Sequence, residues 1–414
     1  MFTRLRLKNF KSFKELDVRF GSLNILIGAN ASGISNLREV FRFLHGVGRG
    51  YSLIEILGEK WGQGGDLLWT GIRGGPSAVA FWGERVFEIE VEFPISSDEG
   101  ASYLIAVDTD RKAGGRLPPK RRKPLIPRIV RERLTVGGRT VFEVLDRPDI
   151  EQLKVSVWQK EKGRNPSSSF LSSKPVLSQL VEKSDDPELR DIVKRSYSEL
   201  VAIRFLEPQP EAIRRPCFPG TPLGEHGENL AAALYALRDA NKIGIFNEFL
   251  SALTPADIEG LVFSSDTNGR LELILQEAGR EISLASVSDG TLRFMTLLTL
   301  LMTENKSIYL EEIETGLHPS RLSLLLEILQ QSAKSHQNQI FATSHSPQLL
   351  ALMGEKSAEY GYLAIRTEEA GASTLLPLSE LPDGASGVLK EQDPGELHTS
   401  GWFEDIGYFT GVGS

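Results

Sequence analysis

Two glycines, Gly28 and Gly33, bracket Ala29-Asn30-Ala31-Ser32 and are followed by Ile34, Ser35 and Asn36. Glycines so placed let backbone N–H groups converge on an oxyanion, and a helix starting just behind them adds the positive end of its dipole. The usual phosphate-binding pattern, G-x-x-x-x-G-K-[ST], adds a lysine for the β- and γ-phosphates and a hydroxyl for Mg2+. Here the segment reads GANASGIS, so Ser35 supplies the hydroxyl and Ile34 stands in the lysine's place. A lost charge-assisted hydrogen bond costs roughly 1.5–3 kcal/mol. At about 1.4 kcal/mol per decade, nucleotide affinity is expected to fall by about 10- to 100-fold. Fast hydrolysis is expected to fail, because the same ammonium stabilises charge on the transferring phosphoryl group. Lys11 and Arg38 are the cations that could substitute, Arg38 lying one helical turn further on.

Further along, the apolar run Ser307–Leu310 ends in Glu311-Glu312. Adjacent acids at a strand end are costly unless a metal or water uses them. A Mg-nucleotide would give both a task, one carboxylate holding the metal and the other polarising the attacking water; an exposed turn is the alternative. A second apolar run, Gln339–Thr343, ends in Ser344-His345-Ser346-Pro347. His345 there could sense or stabilise a γ-phosphate, or be an ordinary loop histidine. Upstream, Val287-Ser288-Asp289-Gly290-Thr291 opens a helical pattern. Alone, Ser288-x-Gly290 is an N-cap; beside a phosphate loop it becomes a second phosphate-facing helix terminus.

The elements needed to position these groups are legible. Leu23–Ile27 reads as a buried strand, and apolar positions 37, 40, 41 and 44 have helical spacing, giving strand, glycine-bearing loop, helix. Residues 2–20, 79–93 and 102–107 alternate as antiparallel strands do. From about Val201 the pattern is α/β: helices over 227–240, 290–302, 320–333 and 346–353, and strands near 261–265, 271–276, 307–311, 339–343 and 360–366. Residues 186–200 read as helical. Between Arg111 and Arg139, eleven cations face the single acid Glu132 among four prolines. That stretch suits nucleic-acid phosphate, an acidic partner or a solvated loop.

With 414 residues, 40% of them hydrophobic and 25% charged, the composition is that of a globular chain able to bury a large core. The lone cysteine, Cys217, excludes an internal disulfide, and a reducing, cytoplasmic setting is the simplest. No stretch approaches a membrane span and no secretory leader is evident. Net charge is −8, so any nucleic-acid role must come from a local patch.

Taken together, GANASGISNL, SDGT-L, YLEEIETGLHP and ATSHSPQLL, with LRLKNFKSF at the start and GENLAAALYAL over 227–237, resemble the RecF/SMC-like branch of the ABC ATPases and, within it, the AAA-type ATPases related to the overcoming-lysogenization-defect (OLD) family. The resemblance covers residues 1–45 and about 200–366. It implies an α/β, ABC-type P-loop fold with a mixed central sheet, an N-terminal antiparallel β subdomain and a helical, basic insertion. The expected division is 1–108 for the N-terminal ATPase lobe, 109–200 for the insertion and 201–414 for the C-terminal lobe. It further implies ATP and Mg2+ as cofactors, with Gly28, Asn30, Gly33, Ile34, Ser35 and Asn36 in the Walker A loop. Ser35 and Glu311 would hold the metal, Glu312 would be the catalytic base and His345 the switch histidine. Ser288 and Gly290 would be the signature contacting the γ-phosphate of the opposite subunit, which implies a head-to-tail homodimer or a higher homo-oligomer. Gln63 is a Q-loop candidate or a plain loop residue.

Ile34 departs from the family at its most diagnostic position, while Glu311, Glu312, Ser288 and His345 remain; that combination favours a lysine lost recently or replaced. No coiled-coil arms and no TOPRIM nuclease scaffold are evident, the Asp393–His398 run being too poor for one. A stand-alone ATPase of this branch implies a sensor and scaffold in bacterial anti-phage defence, controlling a separate nuclease or toxin. The rivals are a RecF-like DNA-repair ATPase that binds DNA in an ATP-dependent way and a nucleotide-stabilised scaffold without turnover.

Overall fold

The structure is a computed structural model. It describes residues 1–28, 32–109, 126–146, 151–159, 163–253, 258–303, 307–318, 321–335, 338–353, 357–367 and 371–381. Asn30, most of the basic stretch and the Asp393–His398 run lie outside the described residues.

At the centre is a six-stranded sheet in the order Ile203–Leu206, Ser307–Leu310, Gln339–Ser344, Leu23–Ile27, Gly361–Arg366, Ser373–Pro377. All neighbours run parallel except the last strand, which is antiparallel to Gly361–Arg366. Leu23–Ile27, Ser307–Leu310 and Gln339–Ser344 are buried along their whole length, as strands covered on both faces must be. Their side chains alternate between two separate cores. Ile25, Ile308, Ile340 and Leu363 join the helices Leu230–Asp239, Asp289–Met302, Leu322–Ser335 and Pro347–Met353 on one face. Leu26, Tyr309, Phe341 and Tyr362 join the helix Ile34–Gly48 on the other. There Phe41 lies 4.6 Å from Phe341, ring centre to ring centre, and Phe20 lies edge-on to Phe341 at 4.9 Å.

Beyond that helix lies an eight-stranded antiparallel sheet, ordered Gly163–Leu171, Gln152–Gln159, Arg139–Asp146, Arg128–Val136, Gly100–Asp108, Val86–Pro94, Arg4–Phe10, Phe13–Arg19. Gln339 clips the two sheets together: its Oε1 accepts from the Phe2 N–H at 2.7 Å, and its Nε2 donates to the Phe2 and Gly21 carbonyls at 2.6 and 3.0 Å. The mixed α/β architecture expected from the sequence is present. Residues 128–171, expected within a basic and helical insertion, instead add four strands to the N-terminal sheet; the helical part begins at Val176. The physical reason is pairing: Arg128–Val136 pairs with Gly100–Asp108, and across that strand Arg131 meets Glu88 at 2.9 Å and Arg133 reaches Glu90 at 4.0 Å on Val86–Pro94. Their apolar neighbours Ile129, Leu134 and Val136 turn inward. No helix among the described residues is long and apolar enough to cross a membrane.

Candidate functional site

The strand Leu23–Ile27 delivers the chain to Gly28, and the helix opens at Ile34 after Gly33. Gly33 sits at φ 109°, a conformation that glycine adopts without a Cβ penalty. A Cβ there would lie 2.6 Å from that of Ser373, and one on Gly28 would lie 2.6 Å from the Ala364 carbonyl oxygen. The helix has no side-chain cap and no acid in its first turn, so its leading N–H groups retain their pull on an anion. Ser35 is exposed on that turn. Asn36 turns away instead, its Nδ2 donating to Ser12 Oγ at 2.7 Å. Ile34 is buried, 5% exposed, in the core shared with Tyr309 and Phe341, and its carbonyl accepts from the Tyr309 hydroxyl at 3.4 Å.

Three parallel neighbours end at one edge of the sheet, bringing Glu311, His345 and Gly28 together. His345 Nδ1 lies 2.7 Å from the Gly28 carbonyl oxygen. Because a carbonyl only accepts, Nδ1 is the donor in this contact. The His345 backbone N–H donates to Glu314 Oε1 at 2.7 Å, while Glu314 Oε2 is buried with no hydrogen-bond partner among the described residues. Glu312 holds φ 46°, strained for a residue with a Cβ, with its N–H donating to Thr343 Oγ1 at 3.0 Å and its carboxylate accepting from Thr315 Oγ1 at 3.1 Å. Burial pushes the Glu311 carboxyl up, against the pull of Arg38.

Arg38 is buried under the site and meets three acids: Glu225 at 2.5 Å, Glu207 at 3.2 Å and Glu311 at 3.4 Å. Arg42, one turn on, shares Glu225 at 2.7 Å and lies 4.8 Å from the centre of the Trp69 ring. Burial raises the Glu225 carboxyl, but the two arginines outweigh it and hold it below the usual range. Lys11 Nζ donates to the Arg73 carbonyl oxygen, and burial pushes its ammonium down against the opposing charge of Glu39. Both substitute cations suggested by the sequence are therefore committed to protein groups.

Ser288 caps the helix Asp289–Met302, its Oγ accepting from the Thr291 N–H at 3.2 Å, and is exposed. Gly290 packs so tightly on Gly316 that a Cβ would lie within 3.1 Å of the Gly316 carbonyl carbon. This ties the start of that helix to the turn after Glu311-Glu312. Gln63 falls in the exposed turn of a small ribbon, Lys60–Trp61 with Leu67–Trp69, away from these contacts. Sequence reasoning missed Glu314, although a third acid stands in EEIETG; it also missed Glu207, Glu225, Glu39 and Arg73, whose partners come from remote segments.

The donor set suits a divalent ion with a polyphosphate: Ser35 and Glu311 offer hard oxygen ligands. Among the described residues the buried Ser32 Oγ lacks a partner, and neither Gly28 nor Gly33 leaves room for a Cβ.

Residues 23–351 match the family described as "AAA domain, putative AbiEii toxin, Type IV TA system". A Helicobacter pylori protein named ATP/GTP phosphatase is 29% identical over 96 residues, 22% of this chain and 26% of that protein, so the match spans about a quarter of its length. Among solved structures, the SmcHead bound to the C-winged helix domain of ScpA superposes with a TM-score of 0.51 at 14% identity, over 91% of this chain and 97% of that one. That likeness is one of fold. Family match and fold agree with the glycine-bracketed loop and the parallel sheet around it: the chain belongs to this AAA family and has the ABC-type ATPase fold.

Proposed function

We propose that the chain is a nucleotide-dependent switch that closes as a head-to-tail homodimer around two ATP molecules and thereby controls a separately encoded nuclease or toxin in anti-phage defence, in a cytoplasmic setting. The observation that carries the nucleotide site is the convergence of Gly28, His345 and Glu311 at one sheet edge, with His345 Nδ1 on the Gly28 carbonyl oxygen at 2.7 Å. In this reading Gly28, Asn30, Gly33, Ile34, Ser35 and Asn36 form the phosphate loop. Ser35 and Glu311 would hold Mg2+, which supplies charge neutralisation at the phosphate oxygens. Glu312 positions water, His345 reports the γ-phosphate to the loop, and Ser288 with Gly290 faces the partner's nucleotide. Turnover is impaired by Ile34. The family description, with its type IV toxin–antitoxin label, supports a paired effector.

Binding of a fluorescent ATP analogue, with light scattering for the dimer, tests the site; pull-down of the neighbouring gene's product tests the effector. No nucleotide binding at millimolar concentration would end the first, and no stable complex the second.

The RecF-like reading requires duplex binding by this chain alone. Arg131, Arg133 and Arg139 are engaged by Glu88, Glu90 and Glu188, which leaves less free positive charge on the described part of the basic stretch. A salt series of DNA binding decides: a steep loss of affinity with salt would favour the repair reading. For the scaffold reading, phosphate release by Ile34→Lys is diagnostic, since an inactive lysine form would favour it.

A further inference from the structure

We propose that Arg73 supplies the phosphate-directed positive charge that the loop lacks at Ile34. The inference rests on the nucleotide reading above and deepens it, giving the site a preference for di- and triphosphates. Arg73 is exposed, and its guanidinium has no hydrogen bond or ion pair among the described residues. Its backbone, by contrast, is held on both sides. The Arg73 N–H donates to Glu39 Oε2 at 2.9 Å, and the Arg73 carbonyl accepts from Lys11 Nζ.

Glu39 follows Ser35 by four residues on the same helix, so the two share a face about 6 Å apart along the axis. Helical side chains lean toward the N-terminus, which carries the Glu39 carboxylate, and the Arg73 peptide docked on it, toward the opening turn. The turn bearing Arg73 is itself fixed. Ile72 is buried, and its N–H donates to the Leu57 carbonyl at 3.3 Å. Gly71 lies at φ 69° with its Cβ position blocked by the Gly58 carbonyl, and Gly74 and Gly75 lie at φ 81° and 63°.

A solvated arginine needs no such anchoring; an arginine that must meet a ligand at one place does. The charge of Arg73 is felt by both the Lys11 ammonium, which it pushes down, and the Glu311 carboxyl, which it also lowers. Lys11 is engaged by a carbonyl and Arg38 by three acids, whereas the Arg73 head group has no hydrogen bond or ion pair among the described residues. A guanidinium fits two phosphate oxygens at once, and its planar fork needs little reorganisation to do so.

The test measures the affinity of a fluorescent ATP analogue, in the presence of magnesium, for the unaltered chain, Arg73→Gln and Arg73→Lys. It adds Ile34→Lys with and without Arg73→Gln, and thermal unfolding without nucleotide checks the fold of each. Arg73→Gln is expected to weaken binding about tenfold or more, Arg73→Lys to lose less, and the Gln change to matter less once position 34 carries a lysine. Equal losses for Gln and Lys, or unchanged affinity in Arg73→Gln while the unaltered chain binds, would overturn the role of Arg73 and leave the nucleotide site standing. Absence of ATP binding by the unaltered chain at millimolar concentration would overturn both.

Discussion

Ile34 occupies the first position of the loop helix, yet its side chain belongs to the core, 5% exposed beside Tyr309 and Phe341. Ile34→Lys must carry an ammonium out of that core, so its unfolding temperature is expected to fall while its nucleotide affinity rises about 10- to 100-fold; calorimetry and titration on the same sample read both. Arg38 has the opposite character, a buried charge balanced by Glu225, Glu207 and Glu311. Arg38→Leu strips Glu207 and Glu311 of this cation and leaves Glu225 to Arg42 alone, and it is expected to cost about 3–5 kcal/mol in denaturant unfolding. The sequence placed Arg38 on the right helix and showed the missing lysine. It could not show the ion cluster, because Glu207 and Glu225 lie some 170 and 190 residues away and carry no local pattern. Glu314 was hidden for another reason: only the folded turn brings its carboxylate under the His345 N–H.

Among the elements, the strands and helices after Val201 were the most legible, since fully buried parallel strands and amphipathic helices have distinct periods. The strand expected over 339–343 is Gln339–Ser344, and the helix expected over 290–302 is Asp289–Met302. The strands of 128–171 were obscured by their cations, whose alternation with Ile129, Leu134 and Val136 makes sense once Glu88 and Glu90 face them. One acid in that region turns inward. Glu132 accepts from the Val176 and Leu177 N–H groups at 2.7 and 2.9 Å and from the Tyr103 hydroxyl at 2.9 Å, capping the helix Val176–Lys183 from the sheet below. Burial nevertheless pushes its carboxyl up to about 7 from 4.5, against these three donors. The folded chain thus holds this proton more tightly than the unfolded chain. Its contribution is full below pH 4.5 and is lost as pH rises through about 7. Glu132→Gln is expected to flatten that slope, worth about 3 kcal/mol; melting temperatures measured across the window check it.

At the scale of the whole molecule, the nucleotide reading makes the exposed Ser288 an intersubunit residue. Ser288→Arg is expected to leave nucleotide affinity within about threefold, a difference under about 1 kcal/mol, while abolishing ATP-dependent dimers in light scattering. A dimer that survives would move the partner's contact elsewhere. The same scale explains why Gly33→Ala should be felt far from the loop: its added methyl strikes Ser373, on the antiparallel edge strand. Loss of both nucleotide binding and several degrees of melting temperature is expected, from a clash and a positive φ together.

The strand that feeds the loop, Leu23–Ile27, lies between Gln339–Ser344 and Gly361–Arg366, and Ser373 backs the Gly33 turn. During synthesis, the ribosome therefore makes the early segment long before it makes the neighbours that give it shape. A nascent chain stalled before residue 339 has neither flank of that strand, so the shape of the sheet around it must await the later stretch. Until then the unpaired edges of that strand are open to wrong partners, and the interval belongs to chaperones.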